Sequence, residues 1–185
     1  MSLAYAILGL LQQQQRTGYE LKTNCFDRCI AHFWPADQAQ IYKTLDKLVD
    51  QGWITCTVEI QSDRPNRKIY NLTETGKTEL LRWLQSPQPF ATVREPLLVQ
   101  LFFAAQLPNE AIIYLLEKHL TLRLRKLKEL ENIQLPNLYD QQANREQVMQ
   151  RLVLDLAIRR EQTYIDWLKT AIDVIHHQQD YLRST

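Results

Sequence analysis

Residues 37–54, DQAQIYKTLDKLVDQGWI, decide how the chain folds. Ile41, Leu45, Leu48 and Gly52 follow one another at steps of four, three and four. That spacing lays one stripe along a helix of 3.6-residue period. Gln40, Lys43 and Lys47 fall toward the other side, together with Asp46 and Asp50. One face can pack while the other stays polar and partly basic. Asp37 stands where a helix cap is wanted, with Gln40 three residues later in the capping-box position. Pro35 disfavours a helix entering from upstream, and Gly52 suits a helix end that needs positive φ. The spacing predicts a helix over 38–51.

Upstream, Leu3, Ile7, Leu10 and Leu11 predict a short amphipathic helix over 3–13. Thr17-Gly18 breaks it and opens a second helix, with Leu21, Cys25 and Cys29 at steps of four, running to about residue 31. His32 to Ala36 then turns into the 38–51 helix, with Trp34 expected to pack under the turn. Downstream the period changes from 3.6 to 2. Ile54, Cys56, Val58 and Ile60 alternate with Thr55, Thr57, Glu59 and Gln61, as in a half-buried strand. Residues 68–72 read as a second strand, and Asp63-Arg64-Pro65-Asn66-Arg67-Lys68 as the charged turn of a hairpin. Thr73 can cap a helix over 74–85 with Leu80, Leu81 and Leu84 on one side. Helix, helix, helix, strand, strand is the order of a winged helix-turn-helix, a DNA-binding module. In it the 38–51 helix would be the recognition helix and the hairpin the wing.

Ser86-Pro87-Gln88-Pro89 reads as a linker, dividing the chain into residues 1–86 and 87–185. The second part is helical: a short apolar helix from Arg94 to about Ala104, a longer one over 110–133, and one of about 35 residues from about Asn144 to Leu182, where no Gly or Pro occurs. Leu152, Leu156, Tyr164, Leu168 and Ile175 lie along one stripe of that last helix, and further apolar residues lie outside it. A surface this wide needs more than one partner. The preceding helices cover part, and a second copy of the chain is expected on the rest. The fold class is thus mainly α with a small β-hairpin, an N-terminal winged helix-turn-helix followed by a C-terminal helical dimerisation domain.

Composition narrows the function classes. The 185 residues carry a formal net charge of +1, and residues 1–86 hold ten Lys/Arg against nine Asp/Glu. Overall charge therefore gives nucleic-acid binding no support; only local arrangement can. No apolar run of membrane-spanning length occurs, so no membrane partner is expected. Three cysteines without a framework spacing fit a reducing cytoplasm. Cys25 and Cys29, with His32 nearby, lack the further ligands of a metal site and read as core residues. Four glycines leave little room for a phosphate-cradling loop, and no nucleophile motif stands out. Neither an enzyme nor a cofactor is expected.

Several segments in order resemble the PadR family of transcriptional regulators. They are Leu8-Gly9-Leu10-Leu11, Gly18-Tyr19-Glu20-Leu21, Gln40-Ile41-Tyr42 with Leu45 and Leu48, and Gly52-Trp53-Ile54. The stretch from Arg64 to Gly76 is similar to the family's R-x-x-R-K-x-Y-x-L-T-x-x-G segment. Val93-Arg94-Glu95 with Leu101-Phe102-Phe103 looks like the start of its longer C-terminal helical domain. The resemblance implies a homodimeric repressor, less often an activator, with two recognition helices in adjacent major grooves of a palindromic operator in double-stranded DNA. It also implies a small aromatic effector, for which Trp34, Trp83, Tyr114, Tyr164 and Trp167 are lining candidates as well as core and interface aromatics. Trp53 departs from the smaller aliphatic residue more usual in the family.

The candidate DNA contacts follow from chemistry and position. Gln40 can bond an adenine edge in bidentate fashion, or serve only as capping partner to Asp37. Lys43 lies early in the helix, where bases and phosphates are met. Tyr42 can reach a phosphate with its hydroxyl; Lys47 suits a backbone contact, and Thr44 is a weaker candidate. Arg64, Arg67 and Lys68 suit phosphates or a minor-groove insertion, with a solvated loop as the alternative. The competing function is a winged-helix protein-interaction module that binds no DNA, favoured by the near-neutral charge.

Overall fold

A computed structural model describes residues 2–60, 66–90 and 92–178. The chain divides into two compact units, Met1–Phe90 and Ala91–Thr185.

The first unit is built around α1 (Ser2–Gln13), whose Ile7 and Leu8 are fully buried. β1 (Arg16–Thr17) follows, and Thr17 caps the next helix in a full capping box. The Glu20 backbone N–H donates to Thr17 Oγ1 at 3.2 Å and the Thr17 N–H to Glu20 Oε2 at 2.8 Å. This helix, α2, starts as an ordinary α-turn (Gly18–Glu20) and continues π-wound over Leu21–Cys29, where the Ile30 N–H reaches back five residues to the Cys25 carbonyl. The wider turn brings Phe26 onto the same side as Leu21 and Cys25, all three buried. It also corrects one expectation: Cys29 is exposed, its thiol donating to the Asn24 carbonyl, while Cys25 alone is core. Burial pushes the Cys25 thiol up to about 11. Trp34, expected beneath the turn, is more than a third exposed; the small Ala36 is buried instead.

α3 (Gln38–Asp50) buries Ile41, Leu45 and Leu48 completely. Its stripe packs on α1, on α2 and on β2, as the 3.6 period requires. The Asp37 carboxylate accepts the Gln40 N–H at 2.7 Å, and Gly52 leaves the helix at φ +69°, a region that favours glycine. β2 (Ile54–Glu59) and β3 (Arg67–Leu72) pair antiparallel from Ile54↔Leu72 to Glu59↔Arg67. β1 adds on the far side of β3, Thr17 facing Ile69, so the sheet has three strands in the order β1-β3-β2. The strand alternation is fully expressed only near the core. Ile54 is buried and Cys56 half-buried, while Val58 and Ile60 are exposed because the hairpin runs out past the helices. α4 (Glu74–Leu84) starts at Thr73, whose hydroxyl accepts the Gly76 N–H at 3.0 Å and donates toward the Gly52 and Trp53 carbonyls. Leu80 of α4 is buried, whereas Leu81 and Leu84, expected beside it, are exposed. Trp83 stacks on Tyr5 at 4.6 Å.

The second unit comprises α5 (Pro96–Phe102), a 3-10 turn (Ala104–Gln106), α6 (Asn109–Glu131) and α7 (Arg145–His177). Pro96 takes the first helical position, where a missing N–H costs nothing. Asn144 and Gln147 cap each other at the start of α7. The expected end of this helix near Leu182 lies outside the described residues. α6 and α7 are antiparallel: Asn109, opening α6, donates to the Ile175 and Gln178 carbonyls at the end of α7. Arg123 ties the unit together. Its guanidinium bonds Glu95 at 3.0 Å and Glu161 at 3.2 Å and lies 3.9 Å from the Tyr164 ring centre.

Candidate nucleic-acid interface

The close approach of α3 to the start of α2 sets one side of a cleft on the first unit. Gly18 has no side chain, and the Tyr42 ring occupies that space: a methyl placed on Gly18 would stand 2.7 Å from it. Tyr42 is thereby held against the start of α2. Beside it the antiparallel pairing delivers Asn66, Arg67 and Lys68 from the hairpin. These residues, with Thr17, Tyr19 and Glu20, line a cleft of about 600 Å³. The structure therefore brings together Tyr42, Arg67 and Lys68 of the residues named from the sequence. Arg64 lies outside the described residues.

The other four residues of α3 divide. Gln40 and Lys43 are exposed in the first turns of the helix. The Asp37 cap is made by its own carboxylate, and Gln40 contributes only its backbone N–H to it, which leaves the Gln40 amide to other partners. Thr44 and Lys47 line a separate groove of about 300 Å³ with Leu3, Ala4, Tyr5, Leu48, Gln51 and Trp53. The Thr44 hydroxyl donates to the Gln40 carbonyl at 2.7 Å, so its proton is already engaged.

Four lining residues had no place among the sequence candidates: Thr17, Tyr19, Glu20 and Asn66. Tyr19 is two-thirds exposed. Glu20 is fixed twice over, one oxygen accepting from the Thr17 N–H and hydroxyl, the other from Arg67 Nη2 at 2.6 Å. Its carboxyl is held below the ordinary range chiefly by the Thr17 backbone N–H, then by the Thr17 hydroxyl, Arg67 and Arg16, against the opposing effect of burial. The Thr-x-x-Glu spacing is a legible capping signal; its link to a residue far along the chain is not.

On the second unit, the residues named as a contact face separate into two sets. Leu168 is fully buried within the unit, and Tyr164 and Ile175 pack against the same core of Leu97, Ala104, Ile112 and Leu116. These three are consumed inside one copy, because α5 and α6 already cover that side of α7. Leu152 and Leu156 remain 49% and 53% exposed. Met149, Val153, Trp167 and Val174 are exposed as well. At 100° per residue these six fall on one stripe, roughly a third of a turn from the buried face.

Among the described residues no group of His, Cys, Asp and Glu could hold a metal ion, and no helix is long and apolar enough to cross a membrane.

Comparison with known proteins places these features in context. Residues 7–82 match the family model described as Transcriptional regulator PadR-like family, and residues 93–176 match Virulence activator alpha C-term. The chain is 34% identical over 182 residues to the negative transcriptional regulator PadR of Bacillus subtilis (strain 168), covering 94% of this chain and 97% of that one. It is similar to the crystal structure of Bacillus subtilis PadR in complex with operator DNA, with a TM-score of 0.81 at 33% identity, covering 95% of this chain and 99% of that one. It is also similar to the crystal structure of the same protein with p-coumaric acid, with a TM-score of 0.77 at 32% identity over 96% and 100% of the two chains.

Proposed function

From the premise that the chain belongs to the PadR-like family of transcriptional regulators, we propose that it is a cytoplasmic homodimeric repressor. The first turns of α3 enter the major groove of a palindromic operator. The β2–β3 hairpin lies along the flanking backbone, and the second unit joins two copies. The observation that carries this reading is the cleft, in which Tyr42, Arg67 and Lys68 converge beside the exposed start of α3. A tyrosine hydroxyl, a guanidinium and an ammonium on one rim suit phosphate oxygens. Gln40 and Lys43, within two residues of Tyr42 on the same helix, are exposed and free to reach base edges. A twofold dimer would set its reading heads about 34–36 Å apart, one DNA turn.

The relative from Bacillus subtilis has been solved both with operator DNA and with p-coumaric acid. By that analogy a small aromatic acid is the class of effector that would release this protein, by favouring a dimer geometry with the wrong head spacing.

Titration of random-sequence duplex at low and high salt tests the first claim. Binding that weakens steeply with salt is expected; no binding at the lowest salt would sink it. Selection of bound fragments from genomic DNA should then return a palindromic sequence. p-Coumaric acid should weaken binding to that sequence, whereas a protein-interaction module would bind neither duplex.

A further inference from the structure

The cleft contains one residue that works against its apparent purpose. Glu20 places a negative charge among Tyr19, Tyr42, Arg67 and Lys68, on the face that the proposed function turns toward phosphates. We infer that Glu20 is an internal substitute for a phosphate: it holds Arg67 in the free protein, cancels its charge, and so lowers affinity for DNA of any sequence. This rests on the DNA-binding reading above.

Three observations carry it. First, the contact has the form of a guanidinium–oxyanion pair, Arg67 Nη2 to Glu20 Oε1 at 2.6 Å. Second, the carboxylate is not a mobile surface group. Its other oxygen is anchored by the Thr17 N–H at 2.8 Å and the Thr17 hydroxyl at 2.9 Å, so Arg67 is drawn to a fixed post. Third, the pair is solvent-accessible, with the Arg67 side chain 44% and the Glu20 side chain 33% exposed. A phosphate can therefore approach the guanidinium and must compete with the carboxylate for it. Capping the helix does not require the charge, since glutamine serves equally at this position of the box. The charge is what the wing feels.

Net charge on a binding face sets the number of cations released from DNA. Each neutralised phosphate contributes about 0.9 to the slope of log affinity against log salt. The Glu20–Arg67 pair contributes none, and the electrostatic grip of this rim rests on Lys68. Glu20 acts through Arg67 and is a positioning residue in that sense.

The test uses the full chain, random-sequence duplex, and three proteins: the parent, Glu20→Gln, and Glu20→Gln with Arg67→Gln. Glu20→Gln keeps an oxygen for the Thr17 N–H and removes the charge. It should steepen the salt slope by about 0.9, so that its advantage over the parent shrinks about threefold between 50 and 200 mM salt. The double variant should return to the parent slope. Equal slopes for parent and Glu20→Gln, or weaker binding by Glu20→Gln with unchanged thermal unfolding, would overturn the inference. A steeper slope retained by the double variant would also overturn it, because Arg67 would not be the group released. If the parent itself ignores duplex, the DNA reading has failed rather than this one.

Discussion

Leu156→Ala on α7 should weaken self-association without unfolding the chain. Leu156 is 53% exposed in a single copy. Fully burying a leucine contributes roughly 1.5–3 kcal/mol, so covering its exposed half in a dimer contributes about 1 kcal/mol. A twofold interface presents the same residue from both copies. Truncation therefore removes about 2 kcal/mol from the dimer, close to a 30-fold rise in its dissociation constant. Leu156→Glu should go further, because it places a charged carboxylate from each copy in an otherwise apolar contact. Lys169→Ala, on the opposite side of the helix, is the control and should change nothing. Sedimentation velocity over a wide dilution series measures the constant directly. Circular dichroism melting at high concentration separates dissociation from misfolding. Parent and Leu156→Ala dissociating at the same concentration would refute the assignment of this stripe. A parent that stays monomeric throughout would refute the dimer itself.

Lys68→Ala should weaken binding to all duplexes alike and flatten the salt slope by about 0.9. Lys43→Ala should in addition change which sequences are selected; a uniform loss would make it a phosphate contact. Arg123→Met should lower the stability of the second unit by about 2 kcal/mol, less than for a fully buried pair because the partners are partly solvated. Thermal unfolding checks this, and an unchanged midpoint would show that Glu95 and Glu161 do not depend on it. Acid should weaken the first unit in a defined window. The carboxyls of Glu20 and Glu79 are both held below their ordinary value of 4.5, the first chiefly by the Thr17 N–H, the second chiefly by Arg82. A depressed folded value contributes stability that is full above 4.5 and is lost as pH falls through the lowered values. Denaturant midpoints should therefore stay flat from neutral pH to about 5 and fall below 4, less so in a Glu20→Gln, Glu79→Gln variant.

How much was legible depends on whether each feature repeats within its own segment. Ile41, Leu45 and Leu48 repeat at the α period, Asp37 and Gly52 mark the ends, and all of this appears in α3 as expected. The lack of breakers along α7 is equally local, whereas its Asn144–Gln147 cap is seen only in the structure. The π-winding of α2 is not legible, because steps of four fit an α period as well. Leu21, Cys25 and Cys29 satisfied it, and Phe26, the residue that the wider turn buries, did not. β1 is two residues long, too short to carry any period, and exists because β3 has an open edge. The two apolar sides of α7 were visible, but which of them the same copy covers was not. That depends on α5 and α6 reaching Leu168, Tyr164 and Ile175 first. The partnership of Glu20 with Arg67 joins residues 47 positions apart and no local pattern announces it.

The balance of charge on the first unit, which seemed to oppose DNA binding, becomes consistent once positions replace totals. Asp46 and Asp50 lie on the outer face of α3 with Lys43. Asp50, however, is seven residues beyond Lys43, about 10 Å further along the axis. A recognition helix meets base edges with its first turns, where Gln40 and Lys43 stand and where the helix dipole also favours an anion. Asp50 then lies toward the end that Gly52 closes, while Asp46 stays about one turn from Lys43. Glu20 is spent on Arg67, Glu79 on Arg82 and Tyr5, and Asp27 on Lys22. Lys43 and Lys68 have no such acidic partner among the described residues. A near-zero sum therefore conceals cations without an acidic partner, Lys43 and Lys68 among them. Discrimination benefits from that economy, because a weak uniform attraction leaves more of the selectivity to base contacts.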